Sequence, residues 1–99
     1  MKLRFTPRAA RDLAEIADYI REHSPQAALR VRAAILESLQ SLVLFPHIGL
    51  QQQVRVVRKL LTRRYPYLVY YTADDEVEEI IILAIQHPAR EREHSDASV

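Results

Sequence analysis

Ninety-nine residues, 48 % of them apolar and 27 % charged with a net charge of +1, describe one small domain with enough apolar surface for a single core. The absence of cysteine excludes disulfides and thiolate metal sites and fits a reducing cytoplasm. No run approaches the roughly 18 apolar residues of a membrane span, and "MKLRFTPRAARDL" lacks the apolar stretch of a signal peptide, so the expectation is a cytoplasmic protein without a membrane anchor.

Residues 2–5, "KLRF", alternate polar and apolar and predict a short strand with Leu3 and Phe5 on one face. Thr6 is then placed to cap a helix with Pro7 at its first position, where the missing N–H costs nothing. Leu13, Ile16, Ala17 and Ile20 recur at helical spacing, and Arg11, Asp12, Glu15 and Glu22 fall on other faces. His23 follows at the helix C-terminus, where the helix dipole favours a cation. Ser24 and Pro25 repeat the start signal for a longer helix, with Ala28, Ile35, Leu39 and Leu42 as its apolar stripe, widened by Leu36 and Val43. The short connection makes the two an antiparallel hairpin. "FPHIG" ends it, with Gly49, the one glycine of the chain, marking a bend or a positive φ.

The second half reads as strands: "VRVVRKLLTR", "YPYLVYYT" and "VEEIIILAIQH", with Pro66 at a strand start and "ADDE" as a hairpin turn. The predicted fold is α+β, with a short N-terminal strand, an antiparallel helical hairpin and a three-stranded antiparallel meander carrying the helices on one face. Residues 1–92 are expected to form the single domain and 93–99 a polar, disordered tail.

Between Glu37 and Asp74 there is no acidic residue, while Arg55, Arg58, Lys59, Arg63 and Arg64 supply positive charge. Asp74, Asp75, Glu76, Glu78 and Glu79 follow directly. Two readings are open: an anion-binding basic surface, or a basic strand paired with an acidic one across a hairpin. Within "RRYPYLVYY", alternation puts Tyr65, Tyr67, Val69 and Tyr71 on one face and Leu68 and Tyr70 on the other. Such tyrosines pack a half-buried strand or, beside Arg63 and Arg64, form a stacking surface. Phosphate loops, nucleophile elbows and metal-ligand spacings are absent, so no cofactor or metal is expected. His87, followed by Pro88 and Arg90, is either a strand-end cap or a proton shuttle beside an arginine.

The segments "FTPRAARDLAEIADYI", "LVLFPHIG", "VRKLLTRRYPYLVYY" and "IILAIQHPAR", in this order and spacing over residues 3–92, resemble the ParE branch of the RelE/ParE toxins of bacterial type II toxin–antitoxin systems. The resemblance implies a small sheet with a helical hairpin packed on it. It also implies a cognate antitoxin whose C-terminal segment wraps the toxin and through which alone operator DNA is bound. RelE-like members cleave mRNA on the ribosome; ParE-like members inhibit DNA gyrase and stabilise its cleavage complex. The nucleases are similar in carrying an arginine just before the "LVY" of the middle strand, where this sequence has Tyr67, and a tyrosine beyond the last strand, where this sequence has none after Tyr71. The resemblance therefore implies a gyrase inhibitor with Arg58, Arg63, Arg64, Tyr65, Tyr67, His87 and Arg90 as target-binding candidates. Arg63, Arg64, His87 and Arg90 would be the catalytic set if the protein were instead an RNase. A silent member that only binds antitoxin is the third alternative.

Overall fold

A computed structural model of the chain describes residues 1–54 and 56–88. Arg55, Arg90 and the 93–99 tail lie outside the described residues. The elements run β1 (Lys2–Phe5), α1 (Pro7–Arg21), α2 (Pro25–Leu44), β2 (Leu50–Gln51), β3 (Arg58–Leu61), β4 (Leu68–Asp74) and β5 (Glu79–Gln86). No helix among the described residues is long and apolar enough to cross a membrane.

Both helices start where their caps predict. The Thr6 hydroxyl accepts from the Ala9 N–H at 3.1 Å and the Ser24 hydroxyl from the Ala27 N–H at 3.2 Å, each with a proline in the first turn. His23 sits just past α1, its N–H on the Ile20 carbonyl and its ring edge-on to Tyr19. Leu13 of α1 and Val31, Ile35, Leu39 and Leu42 of α2 are buried against Val69, Tyr71, Ile80, Ile82 and Ile85 of the sheet. Burying each large aliphatic side chain contributes about 1.5–3 kcal/mol, so this one interface is where most of the stability resides.

The sheet has five strands in the order β1-β5-β4-β3-β2. The meander of β3, β4 and β5 is as expected, and two features differ. The strand anticipated across residues 54–63 shortens to Arg58–Leu61, and an unanticipated β2 pairs antiparallel with it, Leu50 opposite Lys59 and Gln51 opposite Arg58. The intervening backbone is spent on a turn instead: the Val57 N–H donates to the Val54 carbonyl and the Gln52 N–H to the Val57 carbonyl, both at 2.9 Å. At the other edge β1 runs parallel to β5, Leu3 opposite Ile80. A register shift at Tyr70/Tyr71, which passes over Leu83 of β5, lets that strand keep Ile85 on the helix side together with Ile80 and Ile82.

The last turn comprises residues 75–78, two positions later than "ADDE" suggests. The Asp74 carboxylate accepts from the N–H groups of Glu76 (3.1 Å) and Val77 (3.4 Å), and Glu78 adopts φ 56°. The register also decides between the two readings of the charge blocks. Arg58 and Lys59 face Tyr71 and Tyr70, whereas Asp74 faces Glu79, and Glu79 instead pairs with Arg4 of β1 at 3.2 Å. The basic and acidic tracts are not a cross-strand charge ladder.

Gly49 does not have positive φ. Its requirement is close approach: a Cβ there would lie 2.7 Å from both Cε1 and Oη of Tyr71.

Candidate functional site

Tyr71 is the largest fully buried side chain, and its hydroxyl is the polar centre of the core. It donates to the Pro46 carbonyl at 2.8 Å and accepts from the Gly49 N–H at 2.9 Å. Burial pushes the phenol above its ordinary value of 10.0, partly offset by the Gly49 N–H and the nearby Arg58 guanidinium. Arg58 braces the same turn, donating to the carbonyls of His47 (3.1 Å) and Gly49 (2.8 Å). Of the predicted surface residues, Arg58 is thus a loop strut. The turn it holds presents Phe45 and Ile48 outward, 59 % and 57 % exposed.

Thr62, buried at the end of β3, organises the next loop. Its hydroxyl donates to the Tyr65 carbonyl at 2.6 Å and accepts from the Tyr67 N–H at 2.9 Å, and its own N–H reaches the Tyr67 carbonyl. The loop between is forced into a γ-turn, the Tyr65 N–H on the Arg63 carbonyl at 2.6 Å with Arg64 at φ 64°. A bulky residue in this left-handed region marks stored local strain, held here by the Thr62 bonds.

That loop has a different cavity on each side. Arg63 and Arg64 line a groove of about 420 Å³ between α2 and β3, floored by Phe45, Ile48, Leu60 and Leu61 and bordered by Glu37 and Ser38. Tyr67 lines a second cavity of about 500 Å³ between α1 and the end of β5, with Asp12, Glu15, Ile16 and Tyr19 from the helix and Ile85 and His87 from the strand. The Tyr67 and His87 rings meet edge-on, 5.7 Å between centroids, and burial pushes the Tyr67 phenol above 10.0. Asp12 anchors this end by accepting from the Ile85 N–H at 2.9 Å, where β1 no longer covers the β5 edge. Tyr65 is half-buried against the core.

The structure therefore brings Tyr67 and His87 together, brings Arg63 and Arg64 together, and separates the two pairs between cavities. Arg90 lies outside the described residues. Asp12, Glu15, Tyr19, Phe45, Ile48 and Thr62 were not singled out from sequence. Asp12 and Glu15 read as the wet face of an amphipathic helix, and nothing local distinguishes a carboxylate in solvent from one at a cavity mouth. Among the described residues no three His, Asp or Glu side chains converge to hold a metal ion.

A two-helix hairpin on one face of a mixed five-stranded sheet, with cavities at both sides of the β3–β4 loop, defines a small α+β domain. Residues 3–92 match the family described as ParE toxin of type II toxin-antitoxin system, parDE, and the chain belongs to that family. It is similar to Toxin RelE2 of Caulobacter vibrioides, 37 % identical over 87 residues and covering 87 % of this chain and 93 % of the relative. Among solved structures it resembles a chain of the chromosomal ParDE system of P. aeruginosa, with 32 % identity, a TM-score of 0.74 and coverage of 88 % of this chain and 95 % of that one. It also resembles a chain of the toxin–antitoxin complex RelBE2 from Mycobacterium tuberculosis, with 29 % identity, a TM-score of 0.63 and coverage of 87 % and 95 %. The protein is a type II toxin of the ParE/RelE superfamily.

Proposed function

We propose that this toxin inhibits DNA gyrase and does not cleave mRNA, and that a cognate antitoxin neutralises it. The observation that carries this reading is the setting of Tyr67. It stands where the nucleases to which the sequence was likened have arginine, and it packs on His87 in a cavity whose charged rim is Asp12 and Glu15. Two carboxylates there oppose an RNA phosphodiester, and the guanidinium that would steady a phosphorane-like transition state is absent from that position. Loss of one such donor costs about 100 to 1,000-fold in rate. Arg63 and Arg64 belong to the other cavity, and the guanidinium beside this one, that of Arg8, lies 3.7 Å from the Asp12 carboxylate.

The α2–β3 groove fits an antitoxin segment. Phe45, Ile48 and Leu61 are exposed apolar side chains beside Arg63 and Arg64, a surface for a partner that offers apolar anchors flanked by acidic residues. The first of the similar solved structures is a ParDE system and the second a toxin–antitoxin complex, which supports a protein partner of this kind here.

The test is a plasmid assay with gyrase, ATP and relaxed DNA, to which antitoxin-free toxin is added. Lost supercoiling together with gyrase-dependent linear DNA is expected. Unchanged supercoiling with folded toxin, accompanied by cleavage of ribosome-bound mRNA that His87→Ala abolishes, would overturn the proposal in favour of the nuclease.

A further inference from the structure

The α1–β5 cavity has a composition that the groove does not share. Its floor is Ile16 and Ile85, its rings are those of Tyr19, Tyr67 and His87, Gln86 completes the lining, and its carboxylates are Asp12 and Glu15. Asp12 already serves the fold, accepting from the Ile85 N–H and lying 3.7 Å from Nε of Arg8. Glu15 is different. It makes no hydrogen bond or ion pair among the described residues, although Arg11 stands one helical turn before it. Tyr19 beside it is 69 % exposed and offers a ring to the cavity mouth.

We propose that this cavity receives an arginine side chain presented by a partner protein. Three properties of the site select that group. An aliphatic stem fits the Ile16 and Ile85 floor, a planar cation stacks on tyrosine rings, and a guanidinium fork matches a carboxylate with two parallel hydrogen bonds. Lysine has the charge without the plane or the fork, and a polyamine has neither. A phosphate-bearing or acidic ligand is repelled by the same carboxylates that attract arginine. The volume of about 500 Å³ leaves room for the flanking backbone of the partner segment as well as the side chain.

The experiment titrates the isotope-labelled full chain with N-acetyl-arginine amide and follows backbone amide shifts. A single anchoring side chain detached from its protein binds on the order of millimolar. Saturable shifts at Glu15, Tyr19, Ile85 and His87, without shifts at Leu61 or Arg63, are expected. N-acetyl-citrulline amide, of the same shape but uncharged, and N-acetyl-lysine amide should bind at least about tenfold more weakly. Glu15→Gln and Tyr19→Leu, both at exposed positions, should each weaken the arginine probe by about tenfold while leaving the remaining spectrum in place. No saturable shift would overturn the proposal. So would equal binding of citrulline, which would define a neutral apolar pocket, equal binding of spermidine, which would define diffuse cation attraction, or indifference to both substitutions. Because the probe is read on the toxin alone, failure here is distinguishable from failure of the gyrase assay.

Discussion

The α2–β3 groove and the α1–β5 cavity flank the same loop and are built oppositely. The groove is apolar and carries Arg63 and Arg64 beside a single carboxylate, Glu37; the cavity is aromatic and carries Asp12 and Glu15. Each depends on one polar side chain reaching into unpaired backbone. The buried Tyr71 hydroxyl holds the turn that supplies Phe45 and Ile48, and the Asp12 carboxylate holds the β5 edge that supplies Ile85 and His87. The difference teaches that a net charge of +1 says little about what this molecule attracts. Two guanidiniums line one side of one short loop and two carboxylates the other, and Thr62 fixes that loop so that Arg63 and Arg64 line the groove and Tyr67 the cavity.

Removing the groove's strut should have the largest effect. Tyr71→Ala is expected to cost about 3–5 kcal/mol in denaturant unfolding, the range for deleting a large buried ring. Hydrogen exchange should then show lost protection at Ile48 and Gly49, with Ile85 still bonded to Asp12. Equal loss at both would mean that the two regions are not separately supported.

Tyr71→Phe keeps the ring and leaves the Gly49 N–H and the Pro46 carbonyl unsatisfied, an expected cost of about 1–3 kcal/mol. This variant also tests the alkaline limb. The folded-state phenol values of Tyr67 and Tyr71 are raised, so the unfolded chain gives up those protons first. Their stabilisation is therefore complete below about pH 10 and is lost as pH rises through the folded values. A stability–pH curve should fall above that point in the parent and fall less steeply in Tyr71→Phe, with Tyr67 accounting for what remains.

The smallest of the three effects falls on the cavity. Asp12→Ala removes the acceptor of the Ile85 N–H and a long, 3.7 Å ion pair with the exposed Arg8, for about 1–2 kcal/mol, since the pair itself contributes little. Exchange should quicken at Ile85 while Gly49 stays protected, the reverse of the Tyr71→Ala pattern.

The caps at Thr6 and Ser24, the helical stripes and the β3–β5 meander were legible in the sequence because each depends on residues a few positions apart. The packing reading of the tyrosines was legible in part, since alternation put Val69 and Tyr71 on one face, and the helices bury that face. The exposed tyrosine row was not, because only the position of α2 shows that Tyr71 is fully covered and Tyr65 half-covered. Arg58 read as a surface cation and is a brace, since its carbonyl partners at His47 and Gly49 come into reach only when β2 turns back on β3. Gly49 could be read as special, but the reason, a tyrosine 22 positions later, is a tertiary one.

The sequence by itself determined the helices and their starts, the α+β class and, through the spaced segments that resemble ParE toxins, the family to which the chain belongs. These follow from local periodicity, capping and segment order, all of which are written along the chain. Only the tertiary structure decided that Arg63 and Arg64 part from Tyr67 and His87, and that Asp12 and Glu15 of α1 join the latter pair. Side chains more than fifty positions apart in the chain line one cavity only after the sheet register and the helix placement set their separation, and no pattern in the sequence carries that distance.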